Sequence, residues 1–452
     1  MFTTLRNAWR ITELRKKILF TLLILLIYRI GNVITVPFVD FGLMSETFKT
    51  KLDGTIFGLF NMMSGDAFAQ ASIFALGIQP YINASIIIQL LTIAIPALER
   101  LSKEGGEEGK KTIEKITRYT TVGLGLLMGF AYYIMVKNYS TGTSQILINF
   151  DKSWIQAIVI IISFAAGASL VMWLGEQITA YGIGNGISMI LFANIISRIP
   201  VSIILPLLCT AFPGLVDKYP KIQYMINVDT LPEKSEWYFA LLLLVAILAV
   251  IVFIIYVTQA ERRIPVQYAK RTVGRKVYGG QSSHLPIKVN MSGVMPIIFA
   301  QSIASLPATI AAFVSTNQDG WWYKNVFSST SAIYTVVYLI LIVGFSYFYA
   351  TIQYNPVEVA NNLKKNGGFI PGFRPGRPTS DFIRKVINKI TLFGAIFLGI
   401  IAVLPVLLGA ITGNTQFSFG GTSIIIVVSV ALETVSAIEA QMMMRNYSGF
   451  LD

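Results

Sequence analysis

The chain holds one cysteine, Cys209, and one histidine, His284. A lone cysteine excludes an intramolecular disulfide, and so small a supply of Cys and His leaves almost nothing for a metal cluster or a histidine relay. A solvated loop residue is the simpler reading of His284. Charge is scarce too: 13% of the 452 residues are charged, against 54% hydrophobic. Catalytic signatures are missing: there is no HExxH, no nucleophile elbow and no pair of carboxylates within the apolar runs. EGGEEGKKT (104–112) looks briefly like a phosphate loop, but Glu104 stands where glycine is required and Lys111 intervenes before Thr112. GIGNG (182–186) follows no strand and opens an apolar run, so it reads as a tight turn with close helix packing. These absences argue against an enzyme, a bound metal or a cofactor. Any driving force must come from outside the chain or from a gradient.

What the sequence does contain is long apolar runs from end to end, which predict a multi-spanning α-helical membrane protein. Ten spans are expected near 18–36, 72–98, 119–136, 154–175, 183–205, 238–258, 289–313, 331–353, 388–411 and 419–442. Trp154, Trp173, Trp237, Trp321 and Trp322 fall near proposed span ends, where amphipathic rings settle. The first 17 residues form a basic amphipathic segment rather than a signal peptide, since the run that follows is full length, contains Arg29 and lacks a cleavage site. Loops on the side of the termini carry 26 Lys and Arg, and those on the other side carry 8. The positive-inside bias predicts cytoplasmic termini. Much of the net charge of +13 therefore needs no partner, because it fixes topology.

Residues 54–98 look like the organising stretch. Ile56–Met63 is apolar but only about two helical turns long, too short to cross a bilayer. After the polar break Ser64–Asp66, the run Ser72–Leu98 carries Gly77, Pro80, Asn83 and Gln89. Broken backbone at membrane depth needs protein or water beside it, so this span is expected next to a cavity. Two basic loops stand out as well. Residues 259–289 alternate apolar and basic side chains around glycines, which suggests a protruding hairpin or helix-turn. Residues 355–379 begin as a short helix and end in a tip stiffened by Pro371, Pro375 and Pro378. Stiff cationic loops suit docking to phosphate-rich RNA or an acidic protein surface; charge placement alone is the plainer alternative.

Seven stretches carry a family resemblance: FGLFNMMSG (57–65), SIFALGIQPYINASIIIQLL (72–91), LGEQITAYGIGNGISMI (174–190), ERRIPVQYAKR (261–271), VYGGQSSHLPIKVNMSGVMPIIFA (277–300), NPVEVANNLKKNGGFIPGFRPG (355–376) and FGGTSIIIVV (419–428). With these at their spacing, the chain resembles SecY, the channel subunit of the bacterial protein translocase. The external segment 206–236 and the tip 314–330 are not matched.

The resemblance implies an all-α membrane fold of two pseudo-symmetric halves, residues 1–205 and 238–452, around an hourglass pore. By motif match the pore ring falls on Ile78, Ile82, Ile187, Leu191, Ile298 and Ile426. Leu191 departs from the usual isoleucine but keeps its volume and apolarity. Ile78 and Ile82 stand four apart, as do Ile187 and Leu191, and each pair is expected to share a helix face. On composition alone such residues would simply face lipid or pack. The implied plug is Thr55, Ile56, Phe57, Gly58, Leu59, Phe60, Asn61, Met62, Met63 and Ser64, expected to be held by weak packing. The implied lateral gate between spans two and seven carries Asn83, Ser85, Gln89, Gln301, Ser302 and Ser305, although ordinary interhelical bonding explains these polar groups almost as well. Arg29 and Arg198 are expected to snorkel outward, Glu433 to line the inner funnel and Glu176 to lie at the surface. Docking falls on Arg262, Arg263, Lys270, Arg271, Lys364, Lys365, Arg374 and Arg377.

The function implied is a protein-conducting channel of the bacterial cytoplasmic membrane that passes unfolded secretory chains and releases membrane segments sideways into lipid. Implied partners are the small subunits SecE and SecG, the motor ATPase SecA, the ribosome, secretory preproteins with their signal sequences, and lipids. The rival classes are an ion-coupled secondary transporter, which shares broken helices, and a scaffold without a pore.

Overall fold

The computed structural model describes residues 2–48, 56–140, 146–148, 153–200, 237–268, 271–273, 276–278, 282–291, 293–314, 331–412 and 420–448. The first half contains α1 (Phe2–Arg10), α2 (Thr12–Gly31), α3 (Phe41–Thr47), α4 (Ile56–Ser64), α5 (Gln79–Ala94), α6 (Pro96–Glu104), α7 (Gly106–Tyr139), α8 (Ser153–Tyr181) and α9 (Gly186–Ile199). The second half contains α10 (Trp237–Gln259), strands β1 (Glu261–Tyr268), β2 (Arg271–Val273), β3 (Lys276–Tyr278) and β4 (Ser282–Lys288), then α11 (Met295–Val314), α12 (Ala332–Gln353), α13 (Pro356–Lys365), β5 (Gly368–Phe369), α14 (Arg377–Thr412) and α15 (Gly420–Ser448).

Local sequence explains several boundaries. Asn185 caps α9, its side chain accepting from the Ile187 N–H at 3.0 Å, and Ser331 caps α12 in the same way at 3.2 Å. Asn355 caps α13, with Pro356 in the first turn, where a missing N–H does no harm. The span expected over 72–98 is broken at both ends. Its helix starts only at Gln79, and it stops at Ile95, whose φ of −107° and ψ of 112° are the extended values that a following proline imposes. Past Pro96 the chain turns through 105° into α6. The first span is displaced rather than shortened: α2 starts at Thr12, earlier than expected, and ends at Gly31 rather than Val36. Helices α7 and α14 run well past their predicted spans into the loops 99–118 and 354–389.

Among the described residues, five helical segments are long and apolar enough to cross a membrane, and a sixth qualifies if the bent α5–α6 pair is one span. Shorter apolar helices lie at Gly186–Arg198, Leu248–Gln259 and Met295–Pro307. Burial supports a lipid environment. Leu22, Leu23 and Leu26 on α2 and Val252 and Phe253 on α10 are each more than half exposed, while Asn194 and Ser72 are fully buried. Such a contiguous apolar exterior is rare on a water-soluble monomer.

Within the first half, α7 packs on α5 and α8, and α8 on α2 and α9; within the second, α12 packs on α11 and α14, and α15 on α10 and α14. The halves meet where α9 and α1 pack against α15, where α11 packs against α5 and α7, and where α12 reaches α5. Short α4 lies between them, touching α9 and α11.

The two basic loops form one body. Strand β1 pairs antiparallel with β4, from Glu261↔Lys288 to Gln267↔Ser282, and β5 adds at the other edge of β1. Alternation along β1 buries Ile264 and Val266, which join Ile287, Leu363, Ile370, Ile383 and Ile387 in a core of their own. The first loop is thus the hairpin that its alternation allowed. Residues 206–236 and 315–330 lie outside the described part.

At Gly186 an added Cβ would run into the carbonyl oxygen of Gly175, where backbone cannot step aside. Gly186→Ala is expected to lower stability by about 1–3 kcal/mol, the usual range for overpacking. Thermal unfolding of the detergent-solubilised protein checks this.

Candidate functional site

The six residues assigned to a ring lie on the elements that join the two halves. Ile82 is on α5, Ile187 and Leu191 on α9, Ile298 on α11 and Ile426 on α15. Ile78 is not within a helix: it caps α5, and its carbonyl accepts from the Ile82 N–H at 3.1 Å. Five of the six are buried, and Ile187 is partly so; all belong to or pack against one apolar cluster that spans both halves.

Helix α4 sits in that cluster. Phe57, Phe60 and Met63 are buried in it, and the Phe57 and Phe60 rings surround Phe68 at 5.8 and 6.2 Å between centroids. A small pocket of about 30 Å³ is lined by Phe57, Phe60, Met63, Ile78 and Tyr132 among others. Of the ten residues assigned to a plug, Thr55 lies outside the described residues and the rest form α4.

The C-terminal end of α4 corrects the expectation that weak packing alone holds the segment. Asn194 of α9 is fully buried and donates from Nδ2 to the Met63 carbonyl at 2.8 Å. The Tyr28 hydroxyl stands 2.8 Å from the same Nδ2. Asn32 donates to the Ser64 carbonyl at 3.3 Å, and Arg29 Nη1 to the Gly65 carbonyl at 3.4 Å. Gln79 Nε2 lies 2.9 Å from the Met63 sulfur. Three successive carbonyls, the groups a helix end leaves unpaired, are thereby satisfied. Beyond the turn, Asp66 pairs with Arg198 at 3.2 Å and accepts from Asn61 at 3.0 Å. Gly65 has a φ of +67°, and an added Cβ would lie 2.8 Å from Arg29 Nη1 and 2.9 Å from Asn194 Oδ1. Backbone shape and crowding both require glycine there. From the second half, the Ser423 hydroxyl of α15 reaches the Met62 sulfur, a weak acceptor, at 3.4 Å.

Arg29 and Arg198 therefore bind the turn after α4 instead of simply snorkelling. Asn32, Asn194 and Tyr28 were not singled out from the sequence. A charge or carboxamide within an apolar run is the signal that marks such positions. Glu176 pairs with Arg118 at 2.9 Å. Glu433 is exposed, and its carboxylate lies 2.6 Å from where a Cβ on Gly293 would stand.

The residues assigned to a lateral gate are only partly brought together. Gln301, Ser302 and Ser305 are buried on α11, and Asn83, Ser85 and Gln89 half-buried on α5. Ser305 donates to the Ser302 carbonyl at 2.8 Å, and Gln89 to Ser85 at 3.4 Å, each within one helix. Gln89 also accepts at 2.7 Å from Tyr349 of α12, a residue absent from the sequence reading.

Among the docking residues, Arg262, Arg263, Lys364, Lys365, Arg374 and Arg377 are exposed. Arg263 pairs with Glu261 at 2.7 Å. Thr379 donates to the Arg374 carbonyl at 2.8 Å, and the Phe373 and Phe382 rings lie 4.2 Å apart, pinning the tip to α14. Lys270 lies outside the described residues, and Arg271 opens β2.

An apolar exterior, a broken helix and a short helix lodged between two bundles define a multi-pass membrane protein of the channel type. The chain belongs to the SecY family: the family model described as SecY matches residues 72–435. A protein translocase subunit SecY of Streptomyces scabiei is 41% identical over the full length of both chains, and that of Bacillus subtilis (strain 168) is 43% identical, again over the full length of both. A solved structure described as a protein conducting channel has a TM-score of 0.64 at 18% identity, covering 94% of this chain and 92% of that one. Sec61 in a canine ribosome-channel complex has a TM-score of 0.59 at 17% identity, covering 94% and 92%. The chain is a protein-conducting channel subunit rather than an enzyme. This sets aside the solute-carrier and scaffold readings.

Replacing Asn194 with Ala leaves the Met63 carbonyl buried without that donor, a loss of about 1–3 kcal/mol. With Cys209 replaced by serine, Phe60→Cys is then expected to react several-fold faster with an impermeant maleimide added outside. An unchanged rate would show that α4 is held by something else.

Proposed function

We propose that the chain seals its pore in two layers and opens it in two directions. The single observation carrying this reading is that aliphatic residues from both halves converge in one buried cluster with α4 packed into it. Ile78, Ile82, Ile187, Leu191, Ile298 and Ile426 form the waist. A passing polypeptide presents every kind of side chain, so a specific binding group at the waist would stall it. Branched aliphatics yield without sticking, and a hydrophobic constriction excludes ions by dewetting. Helix α4 is the plug beneath them. Its softer contacts release first, while Asn194, Asn32 and Arg29 keep hold of its C-terminal end.

Ten spans in two halves suit this role, with helices lying in each expected span and both termini in the cytoplasm. The second direction of opening is sideways, between α5 and the α11–α12 pair, where half-buried and buried polar groups face an otherwise apolar environment. A signal sequence would part this seam and reach lipid. The membrane of this proposal is the bacterial cytoplasmic one, in keeping with the bacterial sources of the named relatives. SecE and SecG are the expected small subunits, SecA the motor for secretion and the ribosome the donor for insertion. The fold match to Sec61 in a ribosome-channel complex, and to yeast Ssh1 bound to the 80S ribosome, supports the ribosome as a partner. Exposed Arg262, Lys364, Lys365, Arg374 and Arg377 on the sheet body and its tip supply the docking charge.

Two experiments test the reading. Changing Ile78, Ile82 and Ile298 together to glycine is expected to make planar bilayers containing the channel conduct ions in the resting state; silent bilayers would remove the ring. Arg374→Glu is expected to reduce export at least tenfold while leaving the amount of folded protein in the membrane unchanged. Normal export from that variant would take Arg374 out of the docking surface.

A further inference from the structure

The seam between the halves contains a bond that sequence motifs did not mark. On α5, Gln89 is half-buried, and its Nε2 is directed at Ser85 one turn back, at 3.4 Å. That leaves Oε1 facing the other half, where the Tyr349 hydroxyl of α12 donates to it at 2.7 Å. Tyr349 is itself fixed from the side. Its ring lies 5.2 Å from Phe299 of α11 and 5.9 Å from Phe348, and Phe299 is 4% exposed. One phenol therefore bridges three helices: it is carried by α12, packed by α11 and bonded to α5. Both partners sit near one end of the bundle. Gln89 is about two turns before the Pro96 break, and Tyr349 about one turn before the loop that leads to α13 and the sheet body.

Among the described residues, the Ser305 hydroxyl donates to its own helix, and the buried Ser302 hydroxyl has no hydrogen-bond partner. We propose that Tyr349 and Gln89 form the latch that sets how hydrophobic a signal must be to part the seam. The inference rests on the sideways-opening reading above. An apolar helix entering between α5 and α12 must break this bond and offers no polar group in return. The bond therefore taxes every signal equally, and only the weakly apolar ones fail to meet the tax.

An interhelical hydrogen bond in a membrane protein shifts an equilibrium about 3- to 20-fold. Tyr349→Phe removes one oxygen and keeps the ring packing with Phe299. In the full chain within its translocase complex, it is expected to raise the ratio of weak-signal to strong-signal export by that factor. Gln89→Leu should do the same, and the double variant should go no further than the larger single change. An unchanged ratio in Tyr349→Phe, or effects that multiply in the double variant, would overturn the latch. A purely structural role would lower both exports together and leave the ratio flat, which also overturns it. A tether separates the latch from the reading beneath it. Gln89→Cys with Tyr349→Cys, joined by a short bis-maleimide, should block insertion of membrane segments. If the tethered channel still inserts them, the seam is not the exit and both ideas fall. If the tether blocks insertion but the ratio is flat in Tyr349→Phe, the exit stands and only the latch is lost.

Discussion

A helix of nine residues that ends inside a membrane protein leaves carbonyl groups with no partner in its own turn and no water to turn to. The architecture around α4 answers that constraint. Met63, Ser64 and Gly65 present their carbonyls to Asn194, Asn32 and Arg29 in turn. Those three donors come from α9 and from the end of α2, so the helices of the first half must converge on this point. The positive φ of Gly65 lets the chain reverse there, and the Asp66–Arg198 pair closes the turn. From the second half, the Ser423 hydroxyl meets α4 at the Met62 sulfur, a weak acceptor, at 3.4 Å. Among the described residues, the donors to these three carbonyls all come from the first half, and the aliphatic cluster packs α4 from both halves.

The sequence made the class and much of the site legible, for identifiable reasons. Long apolar runs give membrane helices because backbone groups in hydrocarbon must bond within their own segment. The motif around 72–91 led to Ile78 and Ile82, and both are buried where the halves meet. The broken character of that stretch was readable from Gly77 and Pro80, but the break at Pro96 and the size of its bend were not, because a proline forbids a conformation without choosing the next direction. Arg29 and Arg198 were visible as charges in apolar runs, yet their partners are a backbone carbonyl and a carboxylate some 36 and 132 positions away. Pairings of that kind depend on how helices pack, and no local pattern encodes them. Tyr349 was hidden for the same reason: within FSYFYAT an aromatic residue looks like any lipid-facing ring until its neighbour on α5 is known.

The basic loops show how tertiary structure changes the meaning of charge. Read singly, they are two stretches separated by some 70 residues. In the fold, β5 completes the sheet begun by β1, and Ile370 packs in the same core as Ile264 and Ile287. Arg374 is presented by a tip braced at both ends, by that core and by the ring pair Phe373–Phe382. Such a mount loses little conformational freedom when a partner arrives.

On the proposed reading of α4 as a plug, the hold at its C-terminal end bears on how quickly the barrier is restored. A segment that keeps one end bound never becomes a free ligand of its own site. Its return is an intramolecular event governed by an effective concentration that a short connection raises to the millimolar range or beyond. Closure therefore needs no search, only a swing about a fixed pivot. Leakage after each passenger should be limited by how fast the passenger clears, and not by how long the stopper takes to find its seat.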